Sequence, residues 1–209
     1  MAGIDYEYSA ATNEASHAYL KPCVDKLMST ISEGSIVLDL GCGNGSFLAL
    51  FRDRGWHLYG TDFSPSGIEL AKRSFPGIDF VLADASAPSG DLLERVGQAD
   101  LIISTEVIEH LYNPRGFLQN ASDLLKEGGL LVITTPYHGY LKNLVLALTG
   151  KMDQHFTVLW DHGHIKFWSQ KTLRQALTEA GFTDLRMTGA GRLPWLWKSM
   201  VFSARKAKA

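Results

Sequence analysis

Cysteine is scarce in this sequence: Cys23 and Cys42 are the only two thiols among 209 residues. Two isolated cysteines cannot form a disulfide framework, and they lack the paired spacing of a structural zinc site. Their scarcity excludes the small disulfide-rich secreted class. We therefore expect both thiols to be reduced and the protein to be cytoplasmic.

Long apolar runs and a strong charge of either sign are also missing. No stretch approaches the roughly 20 apolar residues that cross a bilayer, and the polar, acidic residues 1–13 do not resemble a signal peptide. The formal net charge is −2 at pH 7, and the basic run Arg205–Lys208 is short. Because nucleic-acid binders usually carry a basic face, we expect no nucleic-acid partner.

What the sequence does contain is an alternation of strand-like and helix-like segments within one domain, 1–209. Hydrophobic residues make up 45% of the chain, which is enough to bury a full core. The alternation predicts an α/β fold with a Rossmann-like, mostly parallel sheet and helices on both faces. Seven strands are predicted, at 36–38, 57–62, 78–83, 99–104, 130–135, 184–188 and 199–204. Helices are predicted at 15–31, 45–54, 65–74, 91–96, 114–125 and 169–180, the fifth of them stopping at the glycines of 127–129.

The most informative segment is 37–45, which reads Val-Leu-Asp-Leu-Gly-Cys-Gly-Asn-Gly. A buried strand there runs into a tight turn of alternating glycines, and a helical pattern follows. The spacing differs from the Gly-x-Gly-x-x-Gly of dinucleotide-binding turns. Asp39 stands two residues before the first glycine. Its negative charge disfavours a pyrophosphate and favours a cationic or hydroxyl-bearing ligand.

This string resembles the first motif of the class I S-adenosylmethionine-dependent methyltransferases, and the likeness extends over nearly the whole chain. It implies that Asp62, at the end of the second strand, accepts hydrogen bonds from ribose hydroxyls. It also implies that Asp84 and Ala85 meet the adenine and that Glu106 lies at the mouth of the pocket. Asp62 has an alternative role as the cap of the helix that follows it.

The resemblance therefore implies that S-adenosyl-L-methionine is the cofactor. An ordinary strand-to-helix turn is the alternative that the glycines alone would leave open. The residues expected to bind the cofactor are Asp39, Gly41, Cys42, Gly43, Asn44, Gly45, Asp62, Phe63, Asp84, Ala85, Thr105 and Glu106.

Between the fifth strand and the last helix lies a segment, 137–168, that the nucleotide-binding core does not need. In this fold the loop after the fifth strand overhangs the transferred methyl group, so we expect 137–168 to cap the acceptor site. Its apolar part, 141–148, is compatible with a short core helix. It is equally compatible with a lid, or with a hydrophobic face that makes peripheral membrane contact. The apolar stripe consists of Leu141, Leu144, Val145 and Leu148.

Histidines supply candidate catalytic groups. His162 and His164 could present two imidazoles on one side of an extended strand. Because imidazole titrates near neutrality, His110, His162 and His164 are candidate bases for a hydroxyl acceptor. Metal binding is the alternative role for these histidines, and no further ligand at a convincing spacing decides between the two roles.

The segment 106–110 reads Glu-Val-Ile-Glu-His and resembles a motif of ubiquinone-biosynthesis O-methyltransferases. A second similar stretch, His-Ile-Lys-Phe, occupies 164–167. The chemistry of that family uses a divalent cation, for which Glu106, Glu109 and His110 are the matching residues. Other parts of the insert do not match, so this finer resemblance covers two segments.

Taken with the resemblance, the sequence predicts a methyltransferase that acts on a small molecule at an oxygen, since a hydroxyl acceptor needs a base such as those just named. A methyltransferase for a macromolecule such as tRNA or a protein is a second hypothesis. A non-catalytic module that kept the cofactor fold is a third. Asp39, Asp62 and Asp84 are all present, which favours an active enzyme. The oligomeric state is not indicated.

Overall fold

A seven-stranded sheet forms the centre of the structure, a computed structural model that describes residues 7–11, 15–156, 158–161 and 163–208. The strands are β1 Ile36–Leu40, β2 His57–Asp62, β3 Asp79–Leu82, β4 Ala99–Thr105, β5 Leu125–Pro136, β6 Phe182–Ala190 and β7 Ser199–Lys206. Their order across the sheet is β3-β2-β1-β4-β5-β7-β6. The predicted seven-stranded, mostly parallel fold is therefore confirmed.

Strand direction follows from the connections. Neighbouring strands from β3 across to β5 are parallel, because helices carry the chain back between them. β7 runs antiparallel to both β5 and β6 and so closes the sheet as the predicted hairpin-like pair. The strand order reverses on either side of β1, where β2 and β4 leave in opposite directions. A crevice for ligands forms at such a switch point, outside the carboxyl ends of the strands.

Helices and short 3₁₀ segments cover the sheet, and several begin at clear sequence signals. Ser64, Asn113 and Ser169 each accept a hydrogen bond from the backbone N–H three residues later, which caps a helix. Pro65 and Pro114 occupy the first helical position, where their missing N–H is not needed. The helices are α1 His17–Leu27, α2 Pro65–Ser74, α3 Gly90–Val96, α4 Pro114–Leu124, α5 Tyr140–Leu148, α6 Met152–Phe156 and α7 Gln170–Glu179.

Two predicted helix features are wrong. The segment predicted as a helix at 45–54 is a 3₁₀ helix over Leu48–Arg54, because the glycine turn extends further than the apolar pattern suggested. The predicted glycine stop after α4 is also absent. α4 gives way directly to β5 at Leu125, and the glycines lie within β5, where the pairing register with β4 shifts.

The core is divided by the sheet into two apolar layers. One contains Phe117 of α4 and Leu177 of α7, both fully buried against the sheet. The other contains Leu20 of α1 and Phe51 of the first 3₁₀ helix. Both faces are thus covered, as predicted for strands that are apolar on both sides.

The insert folds into α5 and α6, and its apolar stripe is not core. Leu141, Leu144, Val145 and Leu148 are between 40% and 78% exposed. The buried residue of α5 is instead Lys142. The core-helix alternative is therefore wrong, and the lid or hydrophobic-face alternative stays a prediction. In the part of the chain that the structure describes, no helix has the length and apolarity needed to cross a membrane.

Matched leucine variants test this description of the core. Leu177→Ala should lower the free energy of unfolding by about 2–5 kcal/mol, because it leaves a cavity under α7. Leu144→Ala should change it by no more than about 0.5 kcal/mol, since the side chain is largely exposed. Urea unfolding measures both. Equal losses in the two variants would contradict the exposed position of the stripe.

Candidate functional site

The glycine turn after β1 has a backbone that only glycine adopts easily. Gly41, Gly43 and Gly45 have φ angles of +89°, +53° and +75°. A Cβ atom at Gly41 would also lie 2.6 Å from Cγ2 of Val107. Both strain and space therefore exclude larger residues there, and the turn is packed directly against the segment that follows β4.

Asp39 is fully buried beneath this turn. Neither of its carboxylate oxygens has a hydrogen-bond partner among the described residues. Burial raises the pKa of Asp39 to about 8, and the neighbouring charge of Asp62 adds to this shift. A buried carboxyl group without partners is costly, and a cation placed beside it would supply the missing interaction.

Asp62 holds the turn in place from the end of β2. Its Oδ2 accepts a hydrogen bond of 2.8 Å from the N–H of Gly43, and its Oδ1 accepts one of 2.9 Å from the N–H of Ser64. The helix cap is Ser64, whose hydroxyl accepts from the N–H of Gly67 at 3.1 Å. The carboxylate of Asp62 thus links the glycine turn to the start of α2 instead of capping the helix itself.

Phe63, Asp84 and Ala85 of the predicted nucleotide site lie at the same edge of the sheet. Phe63 and Asp84 are exposed, and Oδ1 of Asp84 accepts from the N–H of Ser86 at 2.7 Å. Ala85 is buried, and its carbonyl accepts from the side-chain amide of Asn120 at 2.9 Å. The structure therefore brings these strand ends together, while their contacts with a ligand stay a prediction.

An N-terminal segment that sequence patterns did not reveal lies over the turn. A Cβ atom at Gly43 would lie 2.5 Å from the hydroxyl oxygen of Tyr8. The side-chain amide of Asn44 donates to the carbonyl of Ala10 at 3.0 Å. Such a short aperiodic segment gives no signal in the sequence. Its position makes Tyr8 a candidate contact for a ligand bound at the turn.

The end of β4 is strained at Glu106, a non-glycine residue with a φ of +55°. Strain of this kind is concentrated at functional sites. The Glu106 N–H donates to the carbonyl of Thr134 at 3.2 Å. Its carboxylate accepts from the hydroxyl of Thr134 at 2.7 Å and from the hydroxyl of Ser199 at 3.1 Å. Thr105, which precedes it, is half-buried.

Directly after Glu106, three side chains converge. One ligand atom from each of Glu109, His110 and His164 lies within 4.8 Å of the others. The rings of the two histidines are 4.9 Å apart between centroids. The N–H groups of Ile165 and Lys166 both donate to the carbonyl of Glu109 at 2.9 Å, which fixes the end of the insert to this segment.

Electrostatics at this cluster favour the capture of a cation. Glu109 is fully buried, and its carboxylate oxygens have no hydrogen-bond partner among the described residues. Burial and the charge of Glu106 hold the pKa of Glu109 well above its usual range. Burial also lowers the pKa of His164 to about 4, so its imidazole is neutral near pH 7. Neutral imidazoles and a carboxylate are ordinary metal ligands.

The structure describes two of the three candidate bases. The structure brings His110 and His164 together at the end of β4. His162 lies outside the described residues. Of the residues matched to a divalent cation by resemblance, Glu109 and His110 join the cluster. His164 is the third member, while the carboxylate of Glu106 is engaged by Thr134 and Ser199.

A family model described as a methyltransferase domain matches residues 13–186. The chain belongs to this methyltransferase family. S-adenosylmethionine is its cofactor, and the predicted enzyme class and cofactor are thus confirmed. The orphaned carboxylate of Asp39 fits this cofactor, because the cofactor carries an ammonium and a sulfonium.

Similar proteins place the chain within that family. The ubiquinone biosynthesis O-methyltransferase of Chelativorans sp. (strain BNC1) is 30% identical over 165 residues, which are 75% of this chain and 62% of that protein. The magnesium protoporphyrin IX methyltransferase of Synechocystis PCC 6803, solved with bound SAH, has a TM-score of 0.63 at 17% identity, covering 90% and 81% of the two chains. The cyclase SpnF has a TM-score of 0.69 at 16% identity, covering 98% and 88%. These structural likenesses show the fold alone.

Proton release on cofactor binding tests the role of Asp39. With a pKa of about 8, Asp39 is mostly protonated in the free protein at pH 6.5–7, which is about one unit below that pKa. A cation bound beside it favours the ionised form, so a proton should leave on binding and affinity should rise as pH increases towards 8. Calorimetry in two buffers of different ionisation enthalpy measures this release.

Matched variants make that experiment specific. Asp39→Asn should abolish the proton release and weaken binding. Asp79→Asn should change neither, because Asp79 is an exposed carboxylate at the start of β3, on the opposite edge of the sheet. Proton release that persists in Asp39→Asn would show that another group titrates.

Asp62 should affect both the cofactor and the fold. Asp62→Ala is expected to weaken S-adenosylmethionine binding by about 1–3 kcal/mol, the range for a hydrogen bond to a charged group. Because two backbone N–H groups lose their acceptor, the free energy of unfolding should also fall. Calorimetry and urea unfolding measure the two losses, with Asp79→Ala as control. Unchanged cofactor affinity would limit Asp62 to a structural role.

Proposed function

We propose that this enzyme transfers the methyl group to a hydroxyl oxygen of a small molecule that binds at the carboxyl end of β4. The observation that carries the proposal is the cluster of Glu109, His110 and His164, in which the buried carboxylate lies 4.0 Å from Nε2 of His164 and accepts no hydrogen bond among the described residues. Such a group of ligands can bind a hydroxyl and promote loss of its proton, which an oxygen acceptor needs in order to attack the methyl group. The name of the Chelativorans relative, an O-methyltransferase, supports the same chemistry.

The cluster is close enough to the cofactor turn to act on the acceptor. Val107 packs against Gly41, and the hydroxyl of Ser104 donates to the carbonyl of Leu40 at 2.8 Å. The end of β4 therefore lies directly beside the turn that follows β1. An acceptor oxygen between the cluster and the turn would be confined on both sides, and alignment of this kind contributes much of the rate in group transfer.

A divalent cation fits the same three side chains. Glu109, His110 and His164 would hold it, and two imidazoles in the set favour a transition metal over Mg²⁺. When bound, such a cation lowers the pKa of a coordinated hydroxyl and orients it. The buried oxygens of Glu109 would then have the partner that they lack among the described residues.

The chain itself would bind, orient and dehydrate the reactants. Asp39 and Asp62 would fix the cofactor, which supplies the electrophilic methyl group. Where no cation lowers the pKa of the hydroxyl, His110 would accept its proton, because a pKa of about 4 makes the neutral imidazole of His164 a weak base. The insert 137–168 would cap the acceptor, because the N–H groups of Ile165 and Lys166 fasten its end to Glu109.

Removal of one imidazole tests the proposal. His164→Ala should lower the turnover of S-adenosylmethionine on a hydroxyl acceptor by about a hundredfold or more, the range for impaired proton transfer, because the cluster loses one of its three members. Its affinity for the cofactor should stay within about twofold, because His164 lies on the acceptor side. Turnover on a panel of catechols, phenols and amines, with and without a chelator, gives the readout.

His57→Ala is the matched control, since His57 is an exposed histidine at the start of β2 on the far edge of the sheet. It should leave turnover unchanged. Turnover on amines alone, or full activity of His164→Ala, would contradict O-methylation at this cluster. Sensitivity to the chelator that disappears in Glu109→Gln would identify the cation's ligand.

A further inference from the structure

A recess lies beside the candidate active site, between the insert and the loop that joins β6 to β7. It has a volume of about 730 Å³, which is the size of a pocket for a ligand of a few tens of atoms. Part of its lining is apolar, with Val145 and Leu146 from α5 facing Leu193 and Leu196 from the loop. A hydrophobic molecule could therefore be accommodated.

The polar part of the lining has one sign of charge. Lys142, Arg192 and Lys198 all line the cavity, and His155 lies with them. No Asp or Glu belongs to the lining among the described residues. In the described ranges, none of the three cations forms an ion pair within 4.0 Å. The charge is therefore not neutralised within the cavity.

Lys142 is the most unusual of these groups because only 6% of it is exposed. Its ammonium donates to the carbonyls of Tyr137 at 2.8 Å and Lys198 at 3.4 Å. Burial and the nearby charge of Arg192 lower the pKa of Lys142 to about 8, against a partial opposing effect from Glu106. An ammonium can donate three hydrogen bonds, so one N–H of Lys142 remains for a ligand. An anion would accept this third hydrogen bond.

The cavity also adjoins the candidate active site. Lys142 contacts the carbonyl of Lys198, and the next residue, Ser199, donates to the carboxylate of Glu106 at 3.1 Å. Glu106 in turn precedes the cluster of Glu109 and His110 by a few residues. The wall of the cavity at Lys198 is thus one residue away from a direct contact with Glu106 at the end of β4.

We propose that this cavity selects the methyl acceptor, and that the acceptor is an amphiphilic anion: an apolar body that carries a carboxylate or phosphate held by Lys142 and Arg192. This inference rests on the proposed function, since it names the class of molecule that the enzyme methylates. Apolar lining residues hold the body, and the cations of Lys142 and Arg192, which form no ion pair among the described residues, hold the charge. The cofactor takes no part in this selection, so binding can be measured without it.

Probes that share one apolar chain and differ in charge test the anion preference directly. Decanoate, below its micelle concentration, should bind the full chain in calorimetry, while decanol and decyltrimethylammonium should bind weakly or not at all. Arg192→Gln should weaken decanoate binding by about tenfold, the effect of losing one charge-assisted hydrogen bond. Equal binding of all three probes, or unchanged binding in Arg192→Gln, would overturn the proposal.

Two further variants provide a control and a second test of the anion preference. Lys72→Gln, an exposed lysine on α2, is the matched control and should bind decanoate like wild type. Lys142→Met removes the buried ammonium and should abolish the preference for decanoate over decanol; S-adenosylmethionine binding serves as its check of folding. Binding to anionic phospholipid vesicles without binding to monomeric decanoate would place the preference at a lipid surface and overturn a small-molecule cavity.

Turnover separates this inference from the proposed function. On a catechol that bears an alkyl carboxylate, kcat/KM should exceed that on its methyl ester by about tenfold, and Arg192→Gln should bring the ratio close to one. Turnover on both compounds with no preference for the acid overturns the anion cavity and leaves O-methylation intact. Decanoate binding with turnover only on amines overturns O-methylation and leaves the anion site intact.

Discussion

The carboxylate of Asp62 is the interaction on which the site depends. It accepts from the N–H of Gly43 and the N–H of Ser64, and so joins the left-handed glycine turn to the residue that caps the helix after β2. Without this link, the turn would lose the acceptor that fixes one of its amides. Asp39, Val107 and Tyr8 all pack against the same turn or beneath it. The turn that this one carboxylate anchors therefore adjoins residues from the N-terminal segment, β1 and the segment after β4.

Local patterns in the sequence were sufficient for the sheet, and the resemblance of residues 37–45 to a methyltransferase motif was sufficient for the cofactor. Buried strands read as apolar runs, and Ser64, Asn113 and Ser169 cap helices by interactions that span three residues. The glycine turn was recognisable because positive φ angles restrict its composition. The 3₁₀ segment at Leu48–Arg54 was not recognised, since its apolar spacing resembles that of an α-helix over two turns.

The acceptor side could not be predicted in the same way, because its residues meet only after the sheet has formed. Lys142 and Arg192 are about 50 positions apart in the sequence, and the pairing of β7 with both β5 and β6 brings them to one cavity. In the sequence, Lys142 was merely a polar residue beside an apolar stripe. The structure reverses that pattern, since the lysine is buried and the leucines are exposed. Helical periodicity identifies two faces, but it does not determine which face meets the protein.

The site keeps several charged groups buried without partners, and this has a consequence for stability. The pKa of Asp39 in the folded chain, about 8, lies above its value of 3.8 in an unfolded chain. The folded state therefore binds more protons than the unfolded state between these values, and its stability falls as pH rises through that window. Glu109 acts in the same direction, since its pKa is also raised. A ligand that supplies positive charge to these carboxylates restores the lost interaction and binds only the folded state, so the free protein should be least stable, relative to its complex, at neutral to alkaline pH. In the proposed arrangement, Asp39 and Asp62 would face the cationic cofactor, and the cations of Lys142 and Arg192 would face the acceptor. This separation of charge would allow two dissimilar ligands to bind side by side without competing for the same groups.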